Sequence, residues 1–136
     1  MFTKFKCKRI LRFYFFAEKL NDALDNLIYK HATAFDGYHD GTYYAEKICE
    51  LIGAKRELSE LWQYLDGIME KFTKGERAVL RFYGSMRCGI KKLSEENRRE
   101  VKRVTVKFSR RAKLPERFNG ALKIVADYYC LLGVSV

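Results

Sequence analysis

The clearest chemical signal in this sequence is a group of twelve lysine and arginine residues between positions 87 and 117. Only four acids stand among them, so the stretch carries a net charge of +8. Guanidinium and ammonium groups bind phosphates, and the planar guanidinium also pairs with two acceptors on guanine. The stretch therefore predicts a polyanionic partner. The candidate nucleic-acid-binding residues are Arg87, Lys91, Lys92, Arg98, Arg99, Lys102, Arg103, Lys107, Arg110 and Arg111.

Charge is segregated along the rest of the chain. Residues 13–72 contain eleven acids against six bases, a net charge of −5, although the whole chain has a formal charge of +10. The first twelve residues contain five bases and no acid. Such segregation favours a polyanionic partner. We interpret residues 1–9 as a basic N-terminal arm that either follows a phosphate backbone or is simply mobile.

Catalytic and metal-binding groups are sparse. In one segment His31 and His39 lie close in sequence to Asp36 and Asp40, but the helical i,i+4 spacing of zinc motifs is absent. The same segment lacks the glutamate that closes a calcium loop, since Lys47 occupies that position. No GxSxG, P-loop or GxGxxG motif occurs. The sequence thus predicts a protein that is not an enzyme and that binds no metal and no cofactor.

The cysteines and the apolar segments bear on compartment. Cys7, Cys49, Cys88 and Cys130 are widely spaced and form no CxxC pair, which predicts reduced, mostly buried thiols in a cytoplasmic protein. The longest apolar run, residues 10–17, is interrupted by an arginine and is far shorter than the roughly 20 residues of a membrane-spanning helix. We therefore expect no membrane crossing.

Long uninterrupted elements must position the basic residues. A chain of 136 residues with one proline and 48% hydrophobic residues suits one all-α domain, a bundle of about five helices over residues 1–136. Apolar residues at helical spacing end before a segment of glycines and aspartates at 35–41, which predicts a loop. The predicted helices cover residues 10–34, 44–72, 74–84, 94–113 and 115–132.

The second predicted helix carries a heptad seam. Its members are Tyr44, Ile48, Leu51, Lys55, Leu58, Trp62, Leu65, Met69 and Phe72. Two partners are consistent with this pattern: residues 10–34 of the same chain, or a second copy in a homodimer formed through the 44–72 seam. Gly53 predicts a bend or a break inside this helix.

Local capping signals define the helices that follow. Thr73 and Glu76 have the spacing of a capping box, so a helix is predicted to begin at Lys74. Ser94, followed by two glutamates, predicts another helix start, and Pro115 predicts the next. The basic helix has one narrow apolar face, formed by Val101, Val104, Phe108 and Ala112. Such a helix is anchored on one side and cationic on the other.

A capped helix, a short segment and a basic helix follow one another over residues 74–113, which is the order of a helix-turn-helix. With the motif Arg77-Ala78-Val79-Leu80-Arg81-Phe82-Tyr83 and the heptad helix before it, the stretch from Tyr44 to Leu114 resembles the C-terminal promoter-reading domain of bacterial sigma factors, and more closely small phage-type sigma-like regulators. The resemblance implies transcriptional control and RNA polymerase as a further partner. The DNA-facing residues that it implies are Glu96, Arg98, Arg99, Lys102 and Arg103.

We therefore predict a nucleic-acid-binding protein, a sigma-like regulator that binds duplex DNA through its basic helix. The alternative is a protein-interaction module, for example a small, phage-encoded inhibitor or adaptor. Such a module would present the same basic surface to an acidic patch on a protein, or to RNA.

Overall fold

Five α-helices make up most of the structure, a computed structural model that describes residues 4–33, 41–86 and 90–131, with side chains over 7–33, 42–86 and 90–127. The helices are α1 (Lys4–Thr33), α2 (Gly41–Met69), α3 (Lys74–Ser85), α4 (Glu95–Ala112) and α5 (Asn119–Leu131). Short 3₁₀ turns at Ile90–Lys92 and Glu116–Phe118 precede α4 and α5, and the described residues contain no strand. The prediction of an all-α bundle of about five helices is confirmed.

Helices α1 and α2 form a long antiparallel hairpin. Near its closed end the ring of His31 lies 6.2 Å from that of Tyr44, and further along Lys55 pairs with Asp25. The C-terminal part of the heptad seam packs against other helices of the same chain, and its members Leu58, Leu65, Met69 and Phe72 are all buried. Helix α2 runs unbroken past Gly53, so of the bend or break predicted there the break is wrong.

Helix α1 has a kink that was not predicted. Phe16 has non-helical dihedral angles, φ −125° and ψ 24°, so two helical segments of α1 meet at a kink there. The indole of Trp62 donates a hydrogen bond of 3.0 Å to the carbonyl of Tyr14 and stacks on the ring of the same residue. A side chain from α2 thus stabilises the backbone of α1 next to the kink.

The core forms where α3, α4 and α5 close over one half of the hairpin. Its most enclosed side chains come from all five helices and include Leu11, Leu61, Leu80, Phe108 and Val125. Helices α1 and α3 come close at Gly84, where an added Cβ would lie 3.1–3.2 Å from backbone and side-chain atoms of Leu11 and Arg12. Glycine suits this close approach because a side chain would crowd the backbone of α1.

Part of the basic N-terminal segment packs into this core. Residues 4–9, predicted as an arm, form the first turns of α1, and Cys7 is only 3% exposed. Arg12 is also buried, and its guanidinium donates hydrogen bonds to the carbonyls of Gly84 at 2.9 Å and Met86 at 3.0 Å. Arg12 therefore satisfies carbonyls at the end of α3 that the helix itself leaves without a donor.

The predicted capping box sets the start of α3, and the predicted cap at Ser94 sets the start of α4. The amide of Glu76 donates to the hydroxyl of Thr73 while the amide of Thr73 donates to the carboxylate of Glu76, each at 3.1 Å. The amide of Asn97 donates to the hydroxyl of Ser94. After Pro115 the chain makes a 3₁₀ turn first, so α5 begins four residues later than predicted.

Two further predictions concern membranes and thiols. Within the described ranges, no helix combines the length and the apolarity needed to cross a bilayer. Cys7 is buried and Cys49 is exposed, so one of these two thiols is buried as the sequence predicted for most of the cysteines. Cys88 and the side chain of Cys130 lie outside the described residues.

Candidate nucleic-acid interface

Helix α4 is held to the core on one side only. Val101, Val104, Phe108 and Ala112 are all buried, as their spacing predicts, and Phe108 contacts the ring of Phe72. Most of the remaining side chains of α4 are exposed to solvent. The apolar side of the helix is therefore packed against the core and its other sides are exposed to solvent, as the narrow apolar stripe indicated.

Six of the ten predicted binding residues converge on one shallow depression along the open side of α4. We call this surface the cationic face. It consists of Arg99, Lys102, Arg103, Lys107, Arg110 and Arg111, with Val106 among them. Residues separated by three or four positions lie on the same side of a helix, so the geometry of α4 brings these charges together.

The other four predicted binding residues are not part of the cationic face. Lys91 and Lys92 are exposed on the 3₁₀ turn that precedes α4. Arg98 is half-buried and donates hydrogen bonds of 3.3 Å to the carbonyls of Lys91 and Leu93, so it ties this turn to α4. Arg87 lies outside the described residues.

Three carboxylates pair with part of the cationic face. Glu76 of α3 lies 2.7 Å from Lys107, Glu100 lies 2.7 Å from Arg103, and Glu95 pairs with an arginine one turn along α4. The hydrogen bond from Lys107, together with the amide of Thr73, lowers the pKa of Glu76 to about 2. Glu76 thus stays ionised at neutral pH and links the capping box of α3 to the cationic face.

Neutralisation of the cationic face by these acids is incomplete. Within the part of the chain that the structure describes, Lys102 and Arg110 have no ion pair. Both side chains are exposed. The cationic face thus keeps a positive excess and two side chains that are available to an incoming anion.

An aromatic ring supports the C-terminal half of the cationic face. Lys107 and Arg111 lie over the ring of Phe72, with their charged groups 5.5 Å and 4.9 Å from its centroid. Arg111 also donates a 3.0 Å hydrogen bond to the carbonyl of Lys71. Cation–π contacts and a hydrogen bond hold these long side chains in place, which lowers the entropy that they lose on binding a ligand.

The N-terminal turn of α4 has the opposite character. Glu95, Glu96 and Glu100 are exposed in the first two turns and line a second depression together with Asn97, Arg99 and Arg103. The two arginines also belong to the cationic face. Acids at this position complement the helix dipole and stabilise the helix. They also repel phosphates, so a polyanion meets the middle and the C-terminal half of α4 more favourably than its beginning.

Sequence reasoning missed several residues of this site. Val106 is 49% exposed in the middle of the cationic face, and its position off the buried stripe of α4 was a signal that a helical wheel would have shown. Phe72 and Glu76 support the site from other helices. No local pattern indicates that Glu76 meets Lys107, because 31 positions separate them.

Metal ligands do not gather anywhere in the described ranges, where no group of three or more histidine, cysteine, aspartate or glutamate side chains is placed to hold an ion. Asp36, His39 and Asp40 lie outside those ranges. Comparisons with protein-family models, with curated proteins and with solved structures find no match. The resemblance to sigma-like regulators therefore stays a prediction.

Proposed function

We propose that this protein binds duplex DNA through the cationic face of α4 and acts in the control of transcription. The observation that carries the proposal is the convergence of six cations on one side of a helix whose other side is buried in the core. Phosphates supply most of the affinity in such complexes, and a rigid cationic surface binds them without first having to fold.

The dimensions of α4 suit a DNA groove. Its 18 residues extend about 27 Å, and the major groove of B-DNA, about 12 Å wide, admits an α-helix. Exposed cations stand at both ends of the helix: Lys91 and Lys92 before it, and Lys113 and Arg117 after it. We propose that these flanking charges contact phosphates beyond the two ends of the helix.

The acidic first turn of α4 suggests how the helix approaches DNA. In helix-turn-helix proteins the N-terminal residues of the reading helix contact the bases. Here Glu95 and Glu96 would bring negative charge to the phosphates, whereas Lys102 and Arg110 would bring positive charge. We therefore propose that the middle and C-terminal half of α4 lie against the duplex.

A second function, binding to an acidic protein surface, is favoured by one observation. Val106 gives the cationic face an apolar centre, which suits a partner helix with a hydrophobic residue surrounded by acids. RNA polymerase is one such protein partner implied by the resemblance to sigma-like regulators.

Binding of a fluorescent random-sequence duplex at several salt concentrations tests the proposal. Lys102→Ala/Arg110→Ala removes two cations that have no ion pair in the described structure. Lys19→Ala/Arg56→Ala removes one exposed lysine and one exposed arginine from α1 and α2, so both variants have the same net charge. Circular dichroism checks that each variant keeps its helices.

The wild type is expected to lose at least tenfold in affinity between about 50 and 200 mM salt. The α4 variant should bind more weakly, with a slope of log affinity against log salt that is lower by about two. The matched variant should keep the wild-type slope. Equal weakening in both variants would indicate a non-specific net-charge effect, and no binding at low salt would refute the proposal.

A further inference from the structure

The centre of the cationic face is apolar. Val106 is 49% exposed, and single exposed aliphatic residues are common on proteins. This one, however, shares a depression with six cations and has Lys102 and Arg103 about one turn before it and Arg110 about one turn after it. A valine surrounded by cations in this way suits contact with an apolar group that is itself surrounded by negatively charged groups.

We propose that Val106 contacts the 5-methyl group of thymine in the major groove; the inference rests on the proposed function. Arginine and lysine side chains are long enough to reach phosphates at the sides of the groove. Valine is short, so it contacts only what lies directly beneath the helix. The apolar group that base pairs present at the floor of the major groove is the thymine methyl.

The rigidity of this position favours such a contact. A valine in a helix has one strongly preferred rotamer, so the side chain loses little freedom on binding. Val104 and Phe108, two residues before and after it, are fully buried and fix the rotation of α4 about its axis. The isopropyl group of Val106 therefore has a defined direction before any ligand arrives.

The same contact distinguishes duplex DNA from RNA. Double-stranded RNA has a deep and narrow major groove that side chains do not enter, and its uracil lacks the methyl group. A surface that uses Val106 at its centre thus gains from thymine a contact that RNA cannot provide. The cations around Val106 attract the phosphates of either nucleic acid. The contact of Val106 with the thymine methyl group favours duplex DNA over double-stranded RNA.

Two alternating duplexes, poly(dA-dT) and poly(dA-dU), test the inference because they differ only in the methyl group and need no known target sequence. We expect the wild-type protein to bind poly(dA-dT) about fourfold more tightly, the effect of burying one methyl group. Val106→Ser should bring this ratio close to one. The matched variant Ile52→Ser, at an exposed aliphatic residue of α2, should leave the ratio unchanged.

Lys102→Ala serves as a second control, since loss of a phosphate contact weakens binding to both duplexes and preserves their ratio. Equal wild-type affinities for the two duplexes, or a ratio that Val106→Ser retains, would overturn the inference while leaving the proposed function intact. Absence of binding to either duplex would overturn both. Binding to poly-glutamate without binding to DNA would also overturn both and favour the acidic protein partner.

Discussion

The two basic stretches of this chain, residues 4–12 and 87–117, contain arginines with very different exposure among the residues whose side chains the structure describes. Arg12 of the first is 8% exposed and bonds to the end of α3, whereas Arg110 of the second is exposed on the cationic face. A high density of lysine and arginine therefore does not by itself indicate a binding surface. What separates the two stretches is the arrangement of the apolar residues between the charges.

In the first stretch the apolar residues do not keep to a single narrow stripe. Cys7, Ile10, Leu11 and Phe13 are all buried within two turns, because α1 packs against both α2 and α3. In α4 the buried residues keep to one narrow stripe, so the charged side chains between them point to solvent. A helix enclosed from several directions must bury its charges, and it then needs partners for them.

The largest expected effect comes from removing the buried charge. Arg12→Met should lower the free energy of unfolding by about 3 kcal/mol, because the carbonyls of Gly84 and Met86 would lose their charged donors inside the protein. Arg110→Met, the same change on the cationic face, should alter it by less than about 0.5 kcal/mol. Urea denaturation followed by circular dichroism measures both. Similar values for the two variants would contradict the distinction between the stretches.

A second test concerns the contact that encloses the first basic stretch. Gly84→Ala should lower stability by about 2 kcal/mol, since the new methyl group would press on the backbone of α1 at Leu11 and Arg12. Gly67→Ala is the matched control in α2, where an added Cβ meets nothing within 4 Å. That variant should gain about 0.5–1 kcal/mol from the better helix propensity of alanine. Thermal unfolding of both proteins provides the comparison.

A smaller effect is expected where α3 meets the cationic face. Glu76→Gln keeps the capping box, which accepts either residue, but removes the charge that pairs with Lys107. DNA affinity should rise by a few-fold, and the salt slope should become steeper by about one, because one more cation is available to phosphates. The same titration of a labelled duplex measures this. Weaker binding would show instead that Glu76 is needed to position Lys107 for its contact.

The smallest effect is on the acid stability of the fold. The pKa of Glu76 falls from an ordinary 4.5 to about 2 on folding, so its ionised form favours the folded state above about pH 4.5. This contribution should be lost as the pH falls from about 4.5 through 2. The melting temperature of Glu76→Gln should therefore depend less on pH in that range than that of the wild type. Parallel curves for the two proteins would show that the ion pair contributes nothing to stability.

Much of the basic helix was predictable because its signals are local. Ser94 caps its start, and the apolar stripe from Val101 to Ala112 sets its orientation, so six of the ten candidate residues do share one face. The roles of the other site residues depend on contacts between segments that are distant in the sequence or outside the helix, which local patterns do not predict. Arg98 bonds back to the preceding turn, and the acid that restrains Lys107 comes from α3.

By itself, the sequence determined the helices, their capped starts and the side of α4 that faces inward, since each depends on residues within a few turns of one another. Only the tertiary structure decided which basic stretch is exposed. Burial of Arg12 depends on Gly84 and Met86, more than 70 positions away, and support of the cationic face depends on Phe72. Local patterns set the conformation of a segment, whereas its exposure depends on everything that packs around it.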